Sequence, residues 1–370
     1  DGDLSFNFID GNLIDTNEEQ TIYHFSVTNT SVTPYYYNLS LSDLNNVGEV
    51  NYEVESNREG FQTISKKYPD ADYTFANTIK INGNETHSYT FTLMNPNHEL
   101  VKGKINIELE KDMNIFANII LKNNIVNSEA KTKVGEEISQ EEEGLIESSD
   151  DYGTSYYFRG NVANNYVVFA GLSWRIVKIN GDGTIKLVLD ELINNNIQYY
   201  KNEEFDLNFI NSNIYEELTS WYNENLNPYD HFIANYKYCM DGTSDNYGYS
   251  ALTRIYTNHD PIFQCLGETS TLKIGLLTAD EVALAGAIKN VNNQKYYLYN
   301  ENITGGWWTL SPAKNNNGHY SFIEISKTGS MNEGTTGTLF RGNRPVINLV
   351  KKTTVTGTGT PEDPYVVNNV

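Results

Sequence analysis

Positive charge is scarce in this chain. It carries 26 Lys and Arg against 48 Asp and Glu, a formal net charge of −22. Such a surface repels phosphate backbones and anionic bilayers, which excludes nucleic acid as a partner and disfavours membrane surfaces. It favours calcium and cationic partners. Long apolar runs are missing too: no stretch approaches the ~20 residues that cross a bilayer, so no membrane span is expected. Histidines are few and scattered, at 24, 87, 98, 231, 259 and 319, without metal-ligand spacing. There is no G-x-S-x-G, no Walker loop and no H-E-x-x-H. Acidic pairs are so abundant that none stands out as a glycosidase dyad. Together these absences point away from an enzyme.

Cysteine is limited to Cys239 and Cys265. Asp1 opens the numbering without Met, and neither a signal peptide nor a sortase-type tail is visible, which reads as a processed, exported chain. In that setting the two cysteines are expected to form one disulfide, closing a loop rich in Gly, Asn, Asp and Tyr. The alternative is two free thiols in a cytosolic protein. The sequons at Asn29, Asn38, Asn84 and Asn302 follow from the abundance of Asn and Thr.

What is present is enough apolar material for real cores, 39% of 370 residues, and a length that suggests two or three domains. Residues 1–111 alternate at period two: Leu4, Phe6 and Phe8; Tyr23, Phe25 and Val27; Tyr35, Tyr37, Leu39 and Leu41; Ile79 and Ile81; Tyr89, Phe91 and Leu93; Ile105, Ile107 and Leu109. Asp10-Gly11 and Asn82-Gly83 are turn dipeptides between such runs. Short strands with one apolar face each must pair two sheets, which predicts a β-sandwich of immunoglobulin-like type without the antibody disulfide. Residues 112–147 read as a short helix (112–125) and an acidic linker.

The second domain, 148–370, mixes strands with helices in an α+β arrangement. SYYFRG, NYVVFAGLSWRIVKI and TIKLVLDEL predict a three-stranded meander, with NGDG (180–183) a tight hairpin turn. Ile214, Leu218, Trp221, Tyr222 and Leu226 share one side of a helix from Asn213 to Leu226, capped by Asn213 and Glu216. Thr278 and Glu281 form a T-x-x-E capping box before Val282, Leu284 and Ala285, and Gly286 loosens the helix end. A Trp307–Trp308 strand, a hairpin at SFIEISKTGSM, the strand RPVINL and the tail TGTGTPEDPYVV complete the chain.

The order of the capped helix, YYLYNENITGGWWTLSP and RGNRPVINL, together with GLSWRIVKINGDGTIKLVLDE (171–191), resembles a lectin-fold domain of unassigned function on surface proteins of low-GC Gram-positive gut bacteria. That family is similar to the C-type lectin fold, which formylglycine-generating enzymes also use. The resemblance covers roughly residues 150–370 and implies fold far more than ligand. Calcium-dependent lectins carry E-P-N or Q-P-D and W-N-D motifs, and none occurs here. The enzymes hold copper with a cysteine pair near the chain end, whereas both cysteines here precede the Thr278 helix.

Several residues are candidates for recognition. Trp307 and Trp308 alternate faces in a strand, so one is expected in the core and the other at the surface. Beside a strand carrying Tyr296, Tyr297 and Tyr299, an exposed Trp would make a platform for a sugar ring or peptide. Arg175, Arg341 and Arg344 stand out because Arg is scarce. Arg344 is read either as an ion pair to Asp280 or Glu281, locking helix to sheet, or as a ligand-binding residue. Asp70 and Asp72, Asp150 and Asp151, and Asp241 and Asp245 are local pairs of hard oxygen ligands outside any EF-hand pattern. A structural calcium in the 241–249 loop is left open, and otherwise no cofactor is expected.

The expected function is therefore that of a non-enzymatic extracellular protein, on the cell surface or secreted. It would adhere through the lectin-like domain to a glycan or protein of a host or neighbouring cell. The alternative is the subunit of an extracellular filament. In that case the terminal strand Leu4-Ser5-Phe6-Asn7-Phe8 would leave its own sheet and complete the sandwich of an identical subunit, with Leu4, Phe6 and Phe8 filling successive pockets.

Overall fold

The computed structural model of the protein describes residues 4–30, 34–110, 115–127, 138–200, 207–244, 248–316 and 319–370. It is mostly β-sheet, in several separate sheets. The chain divides into two compact units. One comprises Asp1–Leu121, Glu147–Ser155 and Asn180–Gly183, the other Lys122–Ile146, Tyr156–Ile179 and Thr184–Val370.

The first unit begins with nine strands: β1 (Leu4–Phe8), β2 (Leu13–Thr16), β3 (Gln20–Asn29), β4 (Tyr35–Ser42), β5 (Asn51–Ser56), β6 (Ile64–Lys67), β7 (Tyr73–Ile81), β8 (Glu85–Met94) and β9 (Val101–Glu110). They form a five-stranded sheet, β1-β3-β8-β5-β6, and a four-stranded sheet, β2-β9-β4-β7. The period-two residues meet in one core: Phe25, Val27, Tyr89 and Phe91 from one sheet, Leu39, Leu41, Ile79 and Ile105 from the other. This is a β-sandwich. Stacked rings reinforce it, with Phe25 on Tyr89 at 5.1 Å and Tyr52 on Phe91 at 5.2 Å.

The two turn dipeptides do not close hairpins. After Gly11, at φ 78°, the chain leaves β1, which pairs β3, for β2, which pairs β9. Asn82-Gly83 likewise hands the chain from β7 to β8 in the other sheet. β1 pairs β3 in register from Leu4↔Asn29 to Phe8↔Phe25 at the sheet edge. Leu4 and Phe8 pack on the core, whereas Phe6 is 39% exposed.

Helix α1 (Phe116–Asn123) buries Phe116, Ala117, Ile120 and Leu121. Of the expected acidic linker, residues 128–137 lie outside the described ones, and Gln140–Glu142 is a single helical turn closed by Ser139 and Glu142.

The elements that follow are β10 (Gly144–Asp150), β11 (Gly153–Arg159), β12 (Tyr166–Phe169), β13 (Leu172–Ile179), β14 (Ile185–Leu189), β15 (Asn194–Gln198), α2 (Asn213–Asn225), β16 (Tyr236–Cys239), α3 (Ser250–Leu252), β17 (Thr269–Leu272) and α4 (Ala279–Ala285). After them come β18 (Ile288–Lys289), β19 (Trp307–Asn316), β20 (His319–Ile325), β21 (Ser330–Thr336), β22 (Phe340–Asn343), β23 (Val346–Leu349), β24 (Val355–Thr356) and β25 (Tyr365–Val367).

β13 is the hub of the second unit's larger sheet. It pairs β11 and β12 along one edge and β14 along the other, and β14 pairs β23. The stretch expected as one long strand, 165–179, breaks at Ala170-Gly171, where both residues have positive φ, and folds back as the β12–β13 hairpin. The expected NGDG turn joins β13 to β14, closed by Gly183 N donating to Asn180 O at 2.8 Å. A second sheet runs β15-β22-β19-β20-β21-β18. Cys239 and Cys265 are disulfide-bonded, with Cα atoms 5.4 Å apart.

Helix α4 has the anticipated cap. Glu281 N donates to Thr278 Oγ1 at 3.1 Å, Thr278 N donates to Glu281 Oε2 at 2.9 Å, and Gly286 ends the helix at φ 131°. Helix α2 is capped one residue earlier than expected, by Ser212 Oγ accepting from Tyr215 N at 3.1 Å.

Candidate functional site

Both tryptophans expected to share a binding face are buried, Trp307 at 3% and Trp308 at 0% exposure. The reason is that both faces of β19 are covered, by Tyr199 and Phe322 against Trp308 and by Arg344 against Trp307. The Trp308 indole donates to Ile197 O at 3.0 Å and meets the Tyr199 ring edge-on at 5.5 Å. Trp307 lies under the Arg344 guanidinium, 5.1 Å from ring centre to Cζ. Tyr296–Tyr299 is a turn, closed by Tyr299 N donating to Tyr296 O at 3.0 Å, rather than a strand. Tyr296 and Tyr297 are buried and Tyr299 is half-buried. The cavity among Tyr296, Tyr299, Trp307 and Ile325 has about 10 Å³, the size of one water. The expected sugar platform therefore does not form there.

The arginines are structural. Arg344 Nε donates to Leu189 O and Nη1 to Leu298 O, both at 2.7 Å, and Asp190 Oδ1 lies 3.6 Å from Nη2. Burial pushes the Arg344 guanidinium down to about 10. Arg175 lies 3.7 Å over the Tyr166 ring, its Nε donating to Asn165 Oδ1 at 2.8 Å. Arg341 grips Glu324. The carboxylates proposed as partners of Arg344 have other partners. Asp280 is held by Arg254, and the ion pair from helix to sheet is made by Lys186 of β14 with Glu281 of α4.

Asp241 is taken up by Arg254 Nη2 at 2.5 Å and Thr243 Oγ1 at 2.6 Å, which leaves it a salt-bridge residue; Asp245 lies outside the described residues. Asp70 and Asp72 are exposed, and Asp150 caps backbone amides of Tyr152 and Gly181. Among the described residues no group of three or more His, Cys, Asp or Glu could hold a metal.

A groove of about 440 Å³ does carry the features of a recognition site. Its walls are edge strand β15, helix α2 and the start of β22, all within the second unit. Phe340 stands 51% exposed on the rim. Arg341 Nη1 donates to the Phe340 carbonyl at 2.8 Å, and Arg341 is itself clamped by Glu324, so the backbone under the ring is fixed. Asn196, Glu216 and Ser220 are exposed along the walls. Glu217 accepts from Asn194 Nδ2 at 2.5 Å and from Asn343 Nδ2 at 2.7 Å, which orients its carboxylate. Gln198 Nε2 donates to Thr338 O at 2.6 Å, and Asn213 Nδ2 to Gln198 O at 3.2 Å.

Amide and carboxylate groups beside an exposed ring offer donors, acceptors and an apolar face at once, in a volume suited to a small ligand. Trp308 belongs to this site indirectly, since its indole holds the Ile197 carbonyl in the groove wall. Sequence reading missed Phe340, Asn196, Glu216 and Glu217. The one local signal was the apolar pair Leu339-Phe340 within a stretch of Gly and Thr. Comparison of the chain with protein-family models, with curated proteins and with solved structures found no match.

Proposed function

We propose that this is a non-enzymatic extracellular surface protein whose second unit, read as a C-type-lectin-like α+β domain, recognises a glycan of a host or neighbouring cell in the Phe340 groove. The first unit, read as an immunoglobulin-like sandwich, serves as its stalk. The observation that carries this reading is the exposed Phe340 ring beside Asn196, Glu216, Glu217 and Ser220. A sugar ring presents apolar C–H faces to an aromatic and hydroxyls to amides and carboxylates. The disulfide is in keeping with an oxidising compartment. Uncharged or amino sugars suit a groove holding two glutamates on a chain of charge −22. Glycan arrays with the parent and Phe340→Ala test this. The expected result is binding of neutral glycans over sialylated ones, weakened roughly tenfold in the variant. Equal binding by both proteins would place recognition elsewhere.

One observation favours a second reading, the filament subunit. β1 is an edge strand paired with β3, and Phe6 on it is 39% exposed. A strand held along one edge can be exchanged for that of an identical subunit, and head-to-tail exchange propagates. Negative-stain images and sedimentation across a concentration series decide this: fibres that vanish on deleting residues 1–8 support it, and a monomer at every concentration rejects it.

A further inference from the structure

Lys186, Glu281 and Asn348 form a buried polar set that the groove does not use. Lys186 on β14 and Asn348 on β23 are direct cross-strand partners. Directly opposed side chains share one face of the sheet, with Cβ atoms roughly 5 Å apart. That face carries helix α4: Lys186 Nζ is hydrogen-bonded to Glu281 Oε1, while Glu281 Oε2 is fixed by Thr278 N at 2.9 Å. The three residues are 4%, 5% and 0% exposed. The Tyr236 and Tyr238 rings lie 4.9 and 5.6 Å from Nζ. Asn348 Nδ2 donates to the Tyr238 hydroxyl at 3.1 Å, and that hydroxyl donates to Val346 O at 2.9 Å.

An amine, a carboxamide on the neighbouring strand and a carboxylate bound to the amine, all shielded from water, are the components of a transamidation. We propose that Lys186 and Asn348 become joined by an intramolecular amide, with Glu281 as the proton shuttle. Glu281 takes a proton from the Lys186 ammonium, a transfer that removes two buried charges and so is eased by the absence of water. The freed Nζ lone pair attacks Asn348 Cγ, forming the Nζ–Cγ bond. The tetrahedral centre collapses with cleavage of Cγ–Nδ2 as Glu281 passes its proton to the departing nitrogen, and the surplus proton on Nζ leaves with it. Ammonium and carboxamide become a secondary amide and an ammonium ion, without oxidant, reductant or cofactor. Holding the two residues directly opposite each other on adjacent strands supplies the effective concentration that an uncatalysed amide exchange lacks. The bond would weld β14 to β23, two strands far apart in sequence.

Intact-mass spectrometry of the denatured, reduced chain tests this. The expected mass is one ammonia below that of the sequence, and proteolysis should yield a branched peptide linking the Lys186 and Asn348 segments. Glu281→Gln, which keeps the helix cap, and Asn348→Ala should both restore the sequence mass. An unmodified parent mass would overturn the proposal. So would ammonia loss without a branched peptide, the signature of a succinimide, or a branch that persists in Glu281→Gln. The parent measurement decides even if a variant fails to fold.

Discussion

Replacing Arg254 by methionine should be among the most damaging single changes in the second unit, and its effect should depend on pH. Arg254 Nη2 contacts Asp241 at 2.5 Å and Asp280 at 2.9 Å, and Nε adds a bond to Asp280 at 3.0 Å. The three side chains are only 12%, 6% and 5% exposed. Methionine keeps much of the volume but removes the cation, leaving two buried carboxylates. Asp280 would retain the amide of Ile262, and Asp241 the hydroxyl of Thr243. Breaking one side of a buried ion pair costs about 3–5 kcal/mol, and that loss is expected near neutral pH.

Burial already raises the Asp280 carboxyl above its ordinary 3.8, while the hydrogen bond and charge of Arg254 hold it down. Without Arg254 it must rise further. A carboxyl whose folded pKa exceeds its unfolded one binds a proton in the folded state first, so folding gains stability as pH falls through the folded pKa. The gap between Arg254→Met and the parent should therefore narrow on acidification. Urea unfolding of both proteins at about pH 7.5 and about pH 5 measures it. A loss below about 1 kcal/mol near neutrality, or a gap that is the same at both pH values, would refute the argument.

Three further outcomes follow from the fold. Removing the Cys239–Cys265 bridge opens a loop whose ends are 26 residues apart, for which chain entropy assigns about 3.5 kcal/mol, measurable by urea titration of Cys239→Ser/Cys265→Ser. Thr278→Ala deletes the side-chain half of the α4 cap and should cost about 1 kcal/mol, with Thr278→Ser restoring most of it in thermal melts. In the sandwich, burial and then Arg58 hold the His87 imidazole below its ordinary 6.5, although Glu85 opposes them, and Tyr37 Oη lies 2.6 Å from its Nδ1. The unfolded chain thus takes a proton first as pH falls below 6.5, so stability should decline from there down to the folded pKa. That acid-side slope should flatten in His87→Gln.

Local chemistry was legible in the sequence and long-range company was not. The alternation of Tyr23, Phe25 and Val27 names a buried face because a strand has two faces and one core. The Thr278–Glu281 box and the NGDG turn are likewise decided within four residues. Trp307 and Trp308 misled because alternation exposes one face only if that face is left uncovered, and here Tyr199 and Phe322 cover one and Arg344 the other. The partners of Arg344 could not be read either. They are carbonyls of Leu189 and Leu298, and backbone acceptors leave no trace in residue identity. The groove gathers Asn196, Glu216 and Phe340 from three separate elements. The pairing of β15 with β22 and the tie from Asn213 of α2 to Gln198 of β15 bring them together.

The placement of β25 has a mechanical consequence. It lies between β12 and β24, and the Tyr365 hydroxyl on it accepts from Asn123 Nδ2 at 3.1 Å, close to where the second unit begins. A pull applied between residues 123 and 365 would act directly across that tie, because the hydrogen bond holds the two points side by side. Such a load would fall first on the tie and on the short pairings of β25 with β12 and β24, so this corner of the unit would open before the sheets behind it.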